Sequence, residues 1–221
     1  MNQTNNNLSI AFITYASSTD TLTEVGAKLD GLNKQRIEHS LWLDVPQKPM
    51  VYFTIAHSRD VIFLKYYVSE KYMSAVYQNI NEPVYKDSCV EFFIGFENEL
   101  TYYNLEFNSA GTVLGGYGNN RTSRRFLDRQ ALELVSTEKA MKFNTQDQVF
   151  EWELTIAIPA AVFQVHHINN FAEMSCRLNF FKCGDDLPVP HYLAWNAIDS
   201  LEPDFHRPEY FGKGLFESAG N

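Results

Sequence analysis

The feature that most constrains this chain is a period-two alternation of apolar and polar residues, repeated along most of its length. It runs through 51–57 (VYFTIAH), 61–68 (VIFLKYYV), 88–96 (SCVEFFIGF), 102–108 (YYNLEFN), 149–158 (VFEWELTIAI), 174–183 (MSCRLNFFKC) and 211–217 (FGKGLFE). Successive side chains of a strand point to opposite faces, so each run presents one apolar face that needs a covering layer. Long helical periodicity is nearly absent. The economical solution is an all-β fold, a β-sandwich of two antiparallel sheets of immunoglobulin-like or jelly-roll-like type. One or two short helices are expected, one of them after Pro159.

The 221 residues are read as a single domain, with 1–7 and 218–221 as flexible tails. With 45% hydrophobic residues the chain can fill one core. "HSRD" and "ENELT" read as short hairpin loops, 117–131 as a long, basic, irregular connection, and the Gly-rich 115–118 as a flexible turn.

A formal charge of -9 excludes a phosphate-backbone partner, which needs clustered Lys and Arg; no nucleic acid is expected. No apolar run spans a bilayer, so no membrane partner is expected either. The N-terminal residues lack a secretory pattern, and the expected location is the cytoplasm. Cys89, Cys176 and Cys183 are too few for a disulfide framework and lack the close sequence pairing of a zinc site. In one strand, Cys176 and Cys183 face opposite sides.

Two polar constellations stand out. In 85–97 (YKDSCVEFFIGFE), Ser88, Val90, Phe92, Ile94 and Phe96 share the core face, while Asp87, Cys89, Glu91, Phe93 and Gly95 share the other. A hairpin with 102–108 places Glu91 opposite Glu106 or Asn108, with Asn104 nearby; such a face either meets water or lines a site. Asp87 and Glu91 stand roughly 13 Å apart along one strand, too far for a glycosidase pair. The second constellation is "KCGDDLPVPHYLAWNAI" with "EPDFHRPEYFG", whose prolines prevent regular pairing. Asp185, Asp186, His191, Trp195, Asn196 and His206 therefore decorate loops at one end of the sandwich, and an aromatic beside His, Asn and Asp suits a sugar. No nucleophile elbow or phosphate-cradling glycine loop occurs.

Taken together, "YKDSCVEFFI", "YYNLEFNSAGTVLGGYG", "NFFKCGDDLPVPHYLAWNAI" and "DFHRPEYFG" resemble the family 9 carbohydrate-binding modules, in their stand-alone branch, from about residue 35 to 217. The resemblance implies a β-sandwich, non-catalytic sugar binding and structural calcium. It implies that Glu91, in "DSCVE", hydrogen-bonds the sugar, that Tyr85 stacks on it in place of a more usual Trp, and that Trp195 supplies the second stacking ring. His191, Asn196 and His206 are expected at the rim, and Arg124 among the ligand-binding residues, where Arg121, Arg124 and Arg125 would suit an acidic or phosphorylated sugar. The expected partner is a small sugar or oligosaccharide. Two alternatives stand beside it: a sugar-processing enzyme using Lys182, Asp185 or His206, and a protein-interaction module that has lost sugar binding. Calcium rests on the resemblance alone, because the oxygens of "ENE" and "GDD" form no recognisable loop motif.

Overall fold

The protein is described by a computed structural model over residues 6–16, 19–40, 42–43, 45–96 and 99–219. In chain order the elements are β1 (Asn7–Phe12), α1 (Leu22–Asp30), β2 (Gln35–Ile37), β3 (His39–Ser40), β4 (Met50–His57), β5 (Val61–Glu70), β6 (Cys89–Phe96), β7 (Tyr102–Asn108), β8 (Val113–Gly118) and β9 (Arg125–Phe126), followed by α2 (Arg129–Leu132), β10 (Ser136–Asn144), β11 (Val149–Pro159), β12 (Ser175–Cys183), β13 (Tyr192–Ala194) and β14 (Gly212–Phe216). Single 3-10 turns lie at Val84–Lys86, Ala160–Val162 and Pro208–Tyr210.

One sheet runs β10-β11-β5-β4, the other β14-β12-β6-β7-β8-β9. β13 pairs β12 beyond the end of β14, so two short strands share one edge of β12. The sandwich expected from alternation is present, with one difference. β1 pairs parallel with both sheets, through residues 7–10 with β14 and through residues 11–12 with β4. It crosses from one layer to the other, so the sheets are joined along it and are mixed rather than wholly antiparallel. Asn7 is thus paired with Lys213, and Asn6 N–H donates to Asn196 Oδ1 at 3.1 Å, which removes both residues from the expected flexible tail. The rest of that tail, residues 1–5, together with 220–221, lies outside the described residues.

The core lies between the sheets. Val90, Phe92, Ile94 and Phe96 face Phe53, Tyr66, Trp152 and Leu154 across it. The Phe53 ring stacks on Phe180 at 3.7 Å between centroids, and Tyr66 donates its hydroxyl to the Glu91 carbonyl at 2.9 Å, tying β5 to β6. Burying rings of this size accounts for most of the driving force, at about 1.5–3 kcal/mol per fully buried large apolar side chain.

Each sheet also has its outer face covered. α1 carries a capping box, Thr21 with Glu24, and sets Val25 and Leu29 against Ala56, Phe63 and Ala157. On the other side, residues 184–211 pack Ile198, Phe205 and Phe211 onto Phe93, Tyr102 and Phe181. The odd face of β6 is therefore not a wet sheet face: Asp87, Cys89, Glu91 and Phe93 are all buried. The Gly-rich 115–118 stretch is part of β8 rather than a turn, because Gly115 and Gly116 pair with Leu105 and Asn104. A Cβ at Gly115 would come within 2.6 Å of the Leu132 side chain, so glycine here admits α2. Among the described residues no helix is long and apolar enough to cross a membrane.

Candidate functional site

The register of three strands builds the floor of a cavity. β6 pairs with β7 so that Glu91 lies directly opposite Glu106, and with β12 so that Cys89 lies opposite Cys183. With a period of two, Glu91, Glu106 and Cys183 emerge on the face that residues 184–211 cover incompletely. The resulting cavity, of about 370 Å3, is walled by Trp42, Tyr85, Tyr192 and Phe205 and edged by Arg121, Arg124, Asp185, Asp204 and His206. Its size falls at the lower end of the range for small-molecule sites.

Backbone bonds fix those walls. Asp185 N–H donates to the Tyr85 carbonyl at 3.1 Å and Asp186 N–H to the Lys86 carbonyl at 3.1 Å, clamping the Val84–Lys86 turn to the loop after β12. The Trp42 indole donates to the Ser200 carbonyl at 2.8 Å and leans on Phe205, which itself stacks on Phe181 at 4.2 Å. Tyr102 Oη lies 2.8 Å from His206 Nδ1, and Arg124 donates to the same imidazole at Nε2. Asp87 is not part of the cavity. Its carboxylate accepts from Ser74 Oγ, Val76 N–H, Tyr77 N–H and Asn108 Nδ2 at 2.7–3.0 Å, so it braces the 74–77 loop.

Burial dominates the electrostatics. It drives the Glu91 carboxyl well above the usual range, with the opposed Glu106 reinforcing the shift. Burial lifts Glu106 to about 7, against the pull of Arg124, whose Nη1 stands 3.7 Å from Glu106 Oε1, and of Asn104, which donates to that same oxygen at 2.9 Å. His206 is held neutral, down to about 2, by burial and then by Arg124. Glu106 Oε2 and Asn104 Oδ1 are buried without a hydrogen-bond partner, and a buried acceptor in that state calls for a donor from a ligand or water.

A raised carboxyl pKa has a definite sign. The folded state holds the Glu106 proton up to about pH 7 while the unfolded chain releases it near 4.5, so this stabilisation is complete below 4.5 and lost as pH rises to about 7. Glu106→Gln, which cannot ionise, should match the wild type near pH 4 and exceed it by about 3 kcal/mol at pH 8. Urea unfolding of both proteins at the two pH values checks this. An unchanged difference would place the titration elsewhere.

The structure places Tyr85, Glu91, Arg124 and His206 around one cavity and three other candidates elsewhere. Trp195 is 4% exposed and belongs to the inter-sheet core, edge-on to Phe53 and Phe180. It has no face for a ligand. Asn196 is a buried brace that accepts from Asn6 N–H and donates to the Tyr210 carbonyl. His191 lines a separate cavity of about 200 Å3, with Nε2 2.9 Å from Lys182 Nζ; burial and that ammonium hold it at about 3. Of the acid–base candidates Lys182, Asp185 and His206, Lys182 is wholly buried on Glu70 away from the cavity, while Asp185 and His206 edge it. Of the three basic loop residues, Arg121 and Arg124 reach the cavity and Arg125 does not line it. No sequence pattern points to Trp42. Tyr192 could have been found from its parity with Cys183, its partner across β12–β13.

The converging side-chain donors do not suit calcium. Among the described residues the one group of three His, Cys, Asp or Glu side chains with converging ligand atoms is Cys89, Glu91 and Cys183, and a hard cation that takes six to eight oxygens is not served by two thiols. In "GDD", Asp186 is paired with Lys86 and Asp185 edges the cavity; in "ENE", residues 97 and 98 lie outside the described residues.

A sandwich that opens one covered face into a cleft of aromatic walls over a carboxylate floor has the build of a small-ligand binding module. The sequence is more specific: the chain belongs to carbohydrate-binding family 9, whose family model matches residues 24–216. None of the curated proteins searched matches it. Among solved structures, a protein of Bacteroides uniformis ATCC 8492, provisionally named carbohydrate-binding, is 32% identical and superposes with a TM-score of 0.88 over 97% of this chain and 100% of its own. Family 9 modules of Caldicellulosiruptor kristjanssonii in complex with glucose and with cellotriose share the fold at 8% identity, with TM-scores of 0.62 and 0.61. They cover 98% of this chain and, respectively, 98% and 96% of their own.

Proposed function

We propose that the cavity over Glu91 and Glu106 binds a sugar without transforming it. The observation that carries this reading is the pairing of one wall of rings, Trp42, Tyr85 and Tyr192, with a floor whose Glu106 Oε2 is buried and unpartnered. A pyranose offers an apolar C–H face to a ring and hydroxyl donors to such an oxygen. The protonated Glu91 carboxyl can donate, and Arg124 is a further donor, so both hydroxyl lone pairs and hydroxyl protons find partners. Binding without catalysis is supported by the family, whose model matches residues 24–216.

The family 9 modules that hold glucose and cellotriose make gluco-configured sugars the first panel to try. Calorimetric titration with mono- and oligosaccharides, then with sugar acids, tests the reading. Saturable 1:1 binding is expected, weakened at least tenfold in Trp42→Ala, since one stacked ring contributes about 0.5–1.5 kcal/mol beyond the area it buries. Absence of heat across the whole panel would overturn it.

A further inference from the structure

We propose that Cys89, Glu91 and Cys183 form a binding site for a thiophilic divalent cation of the zinc class. The two thiols lie in register on β6 and β12, and Glu91 is two residues along from Cys89 on the same face. Their ligand atoms all lie within 4.8 Å of one another, with Cys183 Sγ 3.0 Å from Glu91 Oε1. A tetrahedral ion bound at ordinary zinc–sulfur and zinc–oxygen lengths separates its ligands by about 3.5–3.8 Å, so the set closes on an ion with small side-chain adjustments. All three cysteines are free, which leaves both sulfurs available.

The donor set selects the ion. Two sulfurs and one carboxylate suit zinc-like cations and disfavour calcium or magnesium. Glu91 and Cys183 line the cavity, which supplies an entry path and leaves room for a fourth ligand from water. Binding releases the two thiol protons, plus the carboxyl proton when Glu91 carries one, and leaves a net charge of -1 on the filled site. Cations stand ready to offset it: Lys182 acts on Cys89, and Arg124 on Glu91. Without an ion, burial keeps Cys89 up at about 12 and Cys183 high as well, so both remain thiols and neither is a reactive nucleophile. The site uses Glu91 of the proposed sugar cavity but does not depend on sugar being its ligand.

The test is titration of the full-length, reduced protein with cobalt(II) and then zinc(II), reading the sulfur-to-cobalt charge-transfer band and its displacement. One equivalent of cobalt is expected to give the band, zinc to displace it, and Cys89→Ala and Cys183→Ala each to weaken binding at least tenfold. Trp42→Ala, which alters the sugar wall and no metal ligand, should bind cobalt as the wild type does. A wild type that gives no band overturns the inference whatever the folding of the variants. A band that survives in both cysteine variants overturns it too, because the ion then sits elsewhere. A wild type that gives the band but binds no sugar of the panel would count against the sugar reading alone.

Discussion

Lys182→Met should destabilise the protein by about 3–5 kcal/mol, a larger loss than any change at the cavity wall, because it strands a buried charge. Lys182 is completely buried; its ammonium donates to the Cys183 carbonyl and to His191 Nε2, each at 2.9 Å, and forms an ion pair with Glu70 Oε2 at 2.9 Å. Glu70 is held from its other side by the Trp152 indole at 2.7 Å, so it cannot swing to water when the lysine is lost. The midpoint of thermal unfolding should fall by roughly 10 °C for a chain of this size. Lys182→Met with Glu70→Gln should recover part of the loss, since the carboxylate is then neutral. A single-variant loss below about 1 kcal/mol would show that Glu70 finds another partner.

Trp195→Ala is the second large effect, and it separates the core tryptophan from Trp42 at the cavity wall. Removing a ring packed edge-on between Phe53 and Phe180 should cost about 3–5 kcal/mol as a core cavity. Space for that ring is built in: a Cβ on Gly212 would come within 2.7 Å of it. Under conditions where the variant is still folded, its sugar affinity should stay within about threefold of the wild type. Urea unfolding and calorimetry on the same preparation distinguish the cases. Lost affinity with unchanged stability would return Trp195 to the site and count against the packing described here.

The misplacement of Trp195 shows where sequence reading stopped. Most strands of seven or more residues declared their faces through alternation, the nine-residue β10 being missed because nearly all its side chains are exposed; the hairpin reading set Glu91 opposite Glu106 or Asn108, and the register selects Glu106. β13 is three residues long and sits between prolines, too short to reveal a period. Its parity sets Tyr192 and Ala194 toward the cavity layer and Leu193 and Trp195 into the core. Lys182 was legible in principle, because it shares the parity of Phe180 and must point inward. α1, with its Thr21–Glu24 capping box, went unread because nine residues offer too few apolar positions to stand out in a chain of strands. What alternation could not reveal is what covers a polar face. The carboxylates are buried because a long, proline-rich segment folds back over them, and only tertiary packing shows it.

The measurement that tests the account most directly is calorimetric titration of the best sugar from the panel into wild type, Trp42→Ala and Glu91→Gln, with thermal unfolding of each. The account predicts 1:1 binding to the wild type, at least a tenfold loss in Trp42→Ala, and a marked loss in Glu91→Gln, with all three proteins folded. Unaltered affinity in both variants would place the sugar outside the cavity and contradict the central claim.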